Sequence, residues 1–238
     1  MKLPLFYKPG IDETGKEVVL DEAASKHIVQ VLRMELSEKL QLTDGVGNLF
    51  TVAITGDNRK KCTVTILEKS EIQHPKSAIT IAISPVKNTS RFEWLLEKAT
   101  EIGVTAIVPL LCGRTEKQHL KWERLQGILV SAMLQSQQAW LPLLHEPVKF
   151  ASYIKEIESV PALHKMIAHC EDENGKHSIT KVARPGIPQL ILIGPEGDFT
   201  EQEIELALKN HFLPVSLGST RLRTETAGIV AATLLSIP

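Results

Sequence analysis

The chain has 238 residues, enough for one large domain or two unequal ones, and its 27 lysines and arginines nearly balance its 28 aspartates and glutamates. This balance excludes a protein that binds nucleic acid through a strongly basic overall charge, although it leaves room for a local basic patch. Cys62, Cys112 and Cys170 lie far apart without zinc-ligand spacing, which argues against a disulfide framework and against a metal site. No apolar run approaches a membrane span, so we expect a soluble cytoplasmic protein.

The first 72 residues contain short strand-like segments separated by turn signals, a pattern that predicts a small β-barrel. The predicted strands cover residues 3–7, 17–20, 39–43, 49–55 and 62–67. One helix interrupts them over residues 22–33, and Asp21 is its expected N-terminal cap. The apolar residues of that helix are expected on one face: Ala24, Ile28, Val31 and Leu32.

A polar, proline-containing stretch at residues 73–77 marks the expected domain boundary. Beyond it, predicted strands at 78–83, 106–111, 162–168, 190–193 and 214–217 alternate with predicted helices at 88–102, 120–138, 148–157, 200–209 and 225–235. A polar surface loop is expected at 171–176. This alternation predicts an α/β domain over residues 73–238, with a parallel sheet and helices on both faces.

Two loops near the C-terminus each follow an apolar strand and begin at or next to a glycine, Gly194 in one case and Gly218 in the other. Thr200 and Glu203 form a capping-box pattern that opens the helix after the first loop. The helix after the second loop is apolar around its circumference, so it must be buried in the core or against another subunit. Ligands bind at the carboxyl ends of strands in open α/β sheets, and we therefore expect the two loops to share one site.

The first loop reads Gly-Pro-Glu-Gly, which is neither a Walker A motif nor a dinucleotide fingerprint and could be an ordinary connection. Glu196 would repel a phosphate, so a cationic or neutral ligand is favoured. In the second loop, Arg221 and Arg223 stand just before Glu225 at a helix entrance. A simple cap with solvated arginines explains this arrangement, but two cations there oppose the helix dipole, which favours a functional role.

Joined together, the two loops carry a more specific pattern. Leu-Ile-Gly-Pro-Glu-Gly-Asp-Phe-Thr-x-x-Glu-Ile, followed by Leu-Gly-x-x-x-Leu-Arg-Thr-Glu-Thr-Ala, resembles the SPOUT superfamily of S-adenosyl-L-methionine-dependent RNA methyltransferases. Within it the chain resembles the RsmE family, which methylates N3 of a uridine in 16S ribosomal RNA. The segments at residues 27–33 and 97–104 are also similar to that family, so the resemblance spans nearly the whole chain.

The resemblance implies a PUA-like RNA-binding barrel over residues 1–72 and a methyltransferase domain with a deep trefoil knot over residues 73–238. It also implies a homodimer through the knotted domain, with the small ribosomal subunit as partner and no metal. The buried small-residue helix would then lie at the dimer interface. The implied S-adenosyl-L-methionine site comprises Ile193, Gly194, Pro195, Glu196, Gly197, Leu217, Gly218, Leu222, Thr224, Thr226 and Ala227.

Two catalytic roles are expected on this basis: Arg223 would stabilise negative charge as the uracil imide ionises, and Glu225 would orient Arg223 or the nucleotide. The expected RNA contacts are His27, Arg33, Arg59, Lys60, Lys61, Lys87, Arg91 and Arg114. Spacing alone makes His27 a surface histidine and the cations solvated side chains. A few phosphate contacts nevertheless suffice to position an RNA.

One segment departs from the family pattern, because Leu134, Gln138 and Trp140 stand where many members carry charged residues. Three other functions stay open. A SPOUT enzyme with another RNA target would share the same cofactor residues. A non-catalytic RNA-binding protein would have lost the cofactor loops, which are intact. A Rossmann-like nucleotide enzyme would need phosphate-binding chemistry at Gly194, which Glu196 opposes.

Overall fold

The computed structural model describes residues 3–12, 17–74, 78–171 and 175–237. Residues 75–77 of the predicted linker and 172–174 of the predicted surface loop lie outside the described residues. The chain divides into two units. The five-stranded unit comprises Met1–His74 and Met133–Leu141, and the eight-stranded unit comprises Pro75–Ala132 and Pro142–Pro238.

The five-stranded unit has one mostly antiparallel sheet with the strand order β1-β3-β4-β5-β2, in which β1 pairs in parallel with β3. Its strands are β1 (Leu5–Tyr7), β2 (Glu17–Val19), β3 (Lys39–Thr43), β4 (Asn48–Gly56) and β5 (Thr63–Glu71). Side chains alternate between the two faces of a strand, so Leu40 and Leu42 are fully buried while Lys39 is exposed. Each of the five predicted strands of this region is present in the structure.

The helix of this unit differs from its prediction. Helix α1 covers only Glu22–Lys26, with Asp21 as its cap, and the chain continues as a π-helical turn over His27–Val31. The wider turn, in which Leu32 N donates to His27 O at 2.9 Å, changes the angle between successive side chains. Ile28 is therefore buried, whereas Val31 is 68% and Leu32 is 42% exposed. The predicted common apolar face is wrong beyond Ile28.

The eight-stranded unit contains a sheet in which every strand pair among the described residues is parallel. The strand order is β11-β13-β10-β12-β6-β7-β8, and β9 also pairs with β7. The strands are β6 (Ile79–Ile83), β7 (Ala106–Leu111), β8 (Leu143–Leu144), β9 (Val148–Lys149), β10 (His164–Ala168), β11 (His177–Ser178), β12 (Gln189–Ile193) and β13 (Leu213–Ser216). The predicted α/β architecture with a parallel sheet is confirmed. The two-residue strands β8, β9 and β11 were not predicted, because they are too short to show a period.

The helices of this unit largely match the sequence patterns. They are α2 (Thr89–Ile102), α3 (Trp122–Gln135), α4 (Phe150–Glu156), α5 (Ile179–Val182), α6 (Glu201–Lys209) and α7 (Thr224–Ser236). Gly103 ends α2 in a left-handed conformation at φ 97°, and the Thr200–Glu203 capping box opens α6 as predicted. Helix α4 begins two residues late because Val148–Lys149 pairs with β7. No helix in the described ranges is long and apolar enough to cross a membrane.

Helix α7 packs its small residues inside the chain. Ala227, Gly228, Ala231 and Ala232 are buried. A Cβ atom on Gly228 would lie 2.6 Å from Leu95 Cδ1 and 2.9 Å from Ile83 Cδ1, so a glycine is needed for α7 to approach α2 and β6 this closely. The expectation that a subunit interface accounts for these buried small residues is therefore wrong. The core of the same chain covers them.

Candidate functional site

The two predicted loops meet at the carboxyl edge of the parallel sheet. We call residues 194–199, which follow β12, the wall loop, and residues 217–223, which follow β13, the rim loop. Thr224, the first residue of α7, donates its hydroxyl hydrogen bond to the Gly194 carbonyl at 3.0 Å. Its side chain is buried, with 5% of the residue exposed. The end of the rim loop is thus joined to the start of the wall loop.

A cavity of about 330 Å³ lies between these loops, within the size range of small-molecule sites. Eight of its lining residues were predicted: Ile193, Gly194, Pro195, Glu196, Leu222, Arg223, Thr224 and Ala227. Four were not: Ala168, Cys170, Asp198 and Arg221. Five predicted site residues do not line it: Gly197, Leu217, Gly218, Glu225 and Thr226.

The four unpredicted residues reach the cavity for two reasons. Asp198 and Arg221 lie inside the two loops that the sequence predicts to share a site. Their positions in those loops could therefore have identified them as cavity residues. Ala168 is the last residue of β10 and Cys170 lies two residues after it, and β10 lies between β12 and β13 in the sheet. That strand order depends on long-range pairing, which sequence patterns do not reveal. Partial burial and nearby Asp198 raise the pKa of the Cys170 thiol, which keeps it neutral.

The cavity combines an apolar surface with charges of both signs. Ile193, Pro195, Leu222 and Ala227 supply apolar side chains. Two carboxylates, Glu196 and Asp198, and two guanidinium groups, Arg221 and Arg223, supply the charges. This set suits a ligand that has an apolar portion, at least one cationic centre and at least one anionic group.

The wall loop is held from several sides. Glu196 Oε1 accepts a hydrogen bond from Lys87 N at 3.3 Å, and Asp198 Oδ2 accepts one from Cys170 N at 2.7 Å. Phe199, the last residue of the loop, is fully buried. A Cβ atom on Gly194 would lie 3.1 Å from the Phe199 ring, so only glycine fits there without movement. These contacts give the loop a defined shape.

Glu225 is buried in the first turn of α7, and its Oε1 atom lies 3.6 Å from Arg91 Nη1. Lys87 is paired with Glu116 at 2.9 Å, and the hydrogen bond to that carboxylate raises the pKa of Lys87. Arg114 Nη1 donates to carbonyl oxygens of the wall loop. The three expected RNA contacts in this unit, Lys87, Arg91 and Arg114, thus each have a partner within the protein.

The other expected RNA contacts lie in the five-stranded unit and are exposed. The His27 ring stands edge-on to Phe6, with ring centroids 5.6 Å apart. Arg33 ends the π-helical turn in a left-handed conformation at φ 55°. Three consecutive cations, Arg59, Lys60 and Lys61, occupy the turn between β4 and β5. Their roles stay predictions.

The segment that departs from the family pattern has a structural partner in the five-stranded unit. Trp140 Nε1 donates to the Ile72 carbonyl at 3.0 Å, and Gly47 N donates to the Ala139 carbonyl at 3.0 Å. Gly47 has φ 94°, and a Cβ atom on it would lie 2.3 Å from Trp140 Cζ2. The Trp140 ring therefore occupies the space beside Gly47 that a side chain would fill, which accounts for an aromatic residue at this position.

Comparisons with known proteins agree with this arrangement. Residues 73–236 match the RNA methyltransferase domain family, and residues 20–67 match the RNA methyltransferase PUA domain family. A ribosomal RNA small subunit methyltransferase E from Synechocystis sp. is 30% identical over 218 residues, which cover 90% of this chain and 71% of that protein. The chain belongs to the ribosomal RNA small subunit methyltransferase E family. The resemblance stated from the sequence motifs is confirmed.

Solved structures of similar proteins extend over almost the whole chain. The crystal structure of a probable rRNA-methyltransferase from Porphyromonas gingivalis is 41% identical, with a TM-score of 0.89 and coverage of 97% of this chain and 95% of that one. A ribosomal RNA small subunit methyltransferase E from Neisseria gonorrhoeae, bound to S-adenosyl methionine, is 29% identical with a TM-score of 0.84. That match covers 97% of this chain and 95% of the Neisseria chain. Members of the family therefore share both units of this fold.

Proposed function

We propose that this protein transfers a methyl group from S-adenosyl-L-methionine to N3 of a specific uridine in 16S ribosomal RNA of the small ribosomal subunit. The observation that carries the proposal is the cavity between the wall loop and the rim loop, at the carboxyl ends of β10, β12 and β13. Its lining includes most of the motif residues that resemble the family's cofactor loops. The Neisseria relative, bound to S-adenosyl methionine, supports the choice of cofactor.

The cavity residues fit this cofactor. Glu196 and Asp198 would offer negative charge to its ammonium and sulfonium centres, and Arg221 would offer positive charge to its carboxylate. Leu222 and Ile193 offer apolar contacts to the adenine ring. The bound sulfonium group supplies the activated methyl group. The proposed cofactor residues remain Ile193, Gly194, Pro195, Glu196, Gly197, Leu217, Gly218, Leu222, Thr224, Thr226 and Ala227, with Asp198 and Arg221 added.

The protein's own chemical task is to help the N3 proton of uracil leave and to align the resulting anion with the methyl group. Arg223 occupies the N-cap position of α7, and its side chain is exposed at the edge of the cavity. Its guanidinium is therefore free of a capping hydrogen bond and can stabilise the negative charge on the uracil imide. Glu225 does not line the cavity. Since its carboxylate is buried beside Arg91, we assign it an orienting role at the first turn of α7 rather than a contact with the uracil.

We also propose that the N-terminal domain, residues 1–72, binds the RNA and that residues 73–238 form the methyltransferase domain. The exposed side chains of His27, Arg33, Arg59, Lys60 and Lys61 support the first assignment. Cations of this kind contact phosphates and fix the register of an RNA substrate.

A trefoil knot and a homodimer through the eight-stranded unit belong to the same proposal. Both rest on the family resemblance. We infer a cytoplasmic location because the proposed substrate belongs to the ribosome.

Two measurements test the function. Calorimetric titration with S-adenosylhomocysteine should show saturable binding, whereas a protein that only binds RNA, or a Rossmann-like enzyme, should show none. Mapping of methylated uridines in 16S ribosomal RNA should show one site lost in a strain that lacks this protein and restored by the wild-type gene. Persistence of that modification in the deletion strain would contradict the substrate assignment. Loss of a methyl group at another RNA position would instead indicate a methyltransferase with a different target.

A further inference from the structure

Arg114 holds the wall loop from the side of β7. Its Nη1 atom donates to the Gly197 carbonyl at 2.7 Å and to the Phe199 carbonyl at 3.1 Å. The aliphatic part of the side chain also lies close to the loop, since a Cβ atom on Gly197 would be 3.3 Å from Arg114 Cδ. Arg114 itself does not line the cavity. It therefore contacts the wall loop from outside the proposed cofactor site.

The backbone around Arg114 is anchored at both ends. Gly113 N donates to Glu203 Oε1 at 2.7 Å, and Glu203 belongs to the capping box of α6. On the other side, the Thr115 hydroxyl accepts from Cys112 N at 2.8 Å and lies 2.7 Å from the Ser84 hydroxyl in a buried hydrogen-bond network. An exposed arginine on a free loop would gain little by binding two carbonyls. A pre-positioned one loses less conformational entropy when it does so.

The two carbonyls that Arg114 binds stand on either side of Asp198. Asp198 has φ 64°, the left-handed region that residues with a Cβ atom adopt uncommonly. Aspartate tolerates this region better than most such residues, and local hydrogen bonds, from Asp198 N to Pro195 O at 2.9 Å and from Phe199 N to Asp198 Oδ1 at 2.8 Å, hold the turn in part. Restraint of the flanking residues adds to this local support. Arg114 Nη1 binds the Gly197 carbonyl in the peptide group before Asp198 and the Phe199 carbonyl in the second peptide group after it, and it thereby restrains the chain on both sides of Asp198. The same conformation directs Asp198 into the cavity lining and lets its carboxylate accept from Cys170 N.

We propose that Arg114 is a positioning residue that keeps Asp198 in its left-handed conformation and so fixes the cofactor wall, and that it is not an RNA contact. The proposal rests on the function proposed above, because the wall is assigned to S-adenosyl-L-methionine. The Arg114 guanidinium interacts with two carbonyl groups of the protein itself. Loss of Arg114 should consequently change cofactor binding and leave RNA binding as it is.

The test uses the full chain and three variants: Arg114→Ala, Arg114→Lys and Lys209→Ala. Lys209 is an exposed cation on α6, paired only with Glu205 at 3.3 Å among the described residues, and it serves as the charge-matched control. Titration with S-adenosylhomocysteine should give a roughly tenfold weaker Kd for Arg114→Ala and an intermediate Kd for Arg114→Lys, because both hydrogen bonds come from the single Nη1 atom and a lysine ammonium can replace part of them. Lys209→Ala should bind like the wild type. Affinity for in vitro transcribed 16S ribosomal RNA should be the same in Arg114→Ala and Lys209→Ala.

A double-mutant cycle separates positioning from a general loss of folding. Glycine adopts positive φ freely, so Asp198→Gly removes the need for the constraint. In the Asp198→Gly background, Arg114→Ala should weaken S-adenosylhomocysteine binding less than threefold, as opposed to roughly tenfold in the wild-type background. Equal losses in both backgrounds would overturn the proposal.

Two further outcomes would also overturn it. One is wild-type cofactor affinity in Arg114→Ala, which would leave the proposed function intact. The other is reduced RNA affinity in Arg114→Ala with a lower salt dependence than in Lys209→Ala, which would make Arg114 a phosphate contact. If the wild-type protein itself does not bind S-adenosylhomocysteine, the proposed function fails together with this inference.

Discussion

The wall loop and the rim loop follow parallel strands and border the same cavity, yet they are held very differently. The wall loop is bound by hydrogen bonds to residues from three other connections: Lys87 after β6, Arg114 after β7 and Cys170 after β10. In the rim loop, the described structure shows hydrogen bonds only at the ends. Ser216 Oγ donates to Gly218 O at 2.9 Å, and Ala227 N donates to Arg223 O at 2.8 Å.

The difference suggests separate tasks within one site. A loop that is already fixed binds a small ligand without a further entropic cost for ordering. A loop with exposed arginines, such as Arg221 and Arg223, and few internal contacts can adjust to a nucleotide that arrives on a large RNA. We therefore expect the wall loop to supply the fixed side of the cofactor site, and the rim loop, which also carries cofactor residues, to adjust to the uridine through Arg223.

The largest effect is expected from the rim loop. Arg223→Ala should lower the single-turnover methylation rate at saturating cofactor by at least about a hundredfold, because one charge-stabilising donor is worth about 10² to 10³ in rate. The Kd for S-adenosylhomocysteine should stay within about twofold of the wild type if the wall loop dominates cofactor binding. Arg223→Lys is the matched control, which keeps the charge and loses the planar geometry, and its rate should fall in between. Retained turnover in Arg223→Ala would remove the catalytic role.

The next largest effect is expected for α7, the helix that follows the rim loop. If α7 is a rigid support, Gly228→Ala should lower the free energy of unfolding by about 1 to 3 kcal/mol, because the added methyl group would overlap Leu95 and Ile83. Gly127→Ala is the matched control in α3, where a Cβ atom meets nothing within 4 Å. It should raise the free energy of unfolding by about 0.5 to 1 kcal/mol. Urea denaturation measures both. Equal midpoints for the two variants would show that α7 adjusts its packing.

Local chemistry explains what the sequence could predict about the site. The aliphatic run of β12 indicated a strand buried on both faces, and the Thr200–Glu203 box indicated a helix start. Both features depend on residues within a few positions of each other. The same is true of the glycine at 194 that follows the strand. These signals were enough to place both loops at one edge of a parallel sheet.

Features that depend on distant residues were not predictable. Arg114 is 83 residues from Gly197 in sequence, and only the fold brings them together. Cys170 reaches the site through the strand order. Aspartate adopts positive φ more often than most residues with a Cβ atom, but its presence at 198 does not by itself specify that conformation. The π-helical turn at His27–Val31 misled the prediction for another reason. An i, i+3, i+4 pattern assumes α-helical spacing, which this turn does not have.

The smallest effect is expected at the bond that joins the two loops. Thr224→Val keeps the shape of the side chain but removes the donor to the Gly194 carbonyl, so it should lower the free energy of unfolding by about 1 kcal/mol. Thr233→Val is the control in the same helix, since its hydroxyl bonds only to Ile229 O, four residues earlier on an exposed face, and its effect should be near zero.

The different attachment of the two loops also predicts how Thr224→Val should change the affinity for S-adenosylhomocysteine. Because Lys87, Arg114 and Cys170 still hold the wall loop, the Kd for S-adenosylhomocysteine should rise by less than about tenfold. The methylation rate should fall further than the cofactor affinity does, because the rim loop that carries Arg223 loses its attachment to the wall. A parallel loss of affinity and rate would mean that the two loops act as a single cofactor-binding element, and the division between wall and rim would then be wrong.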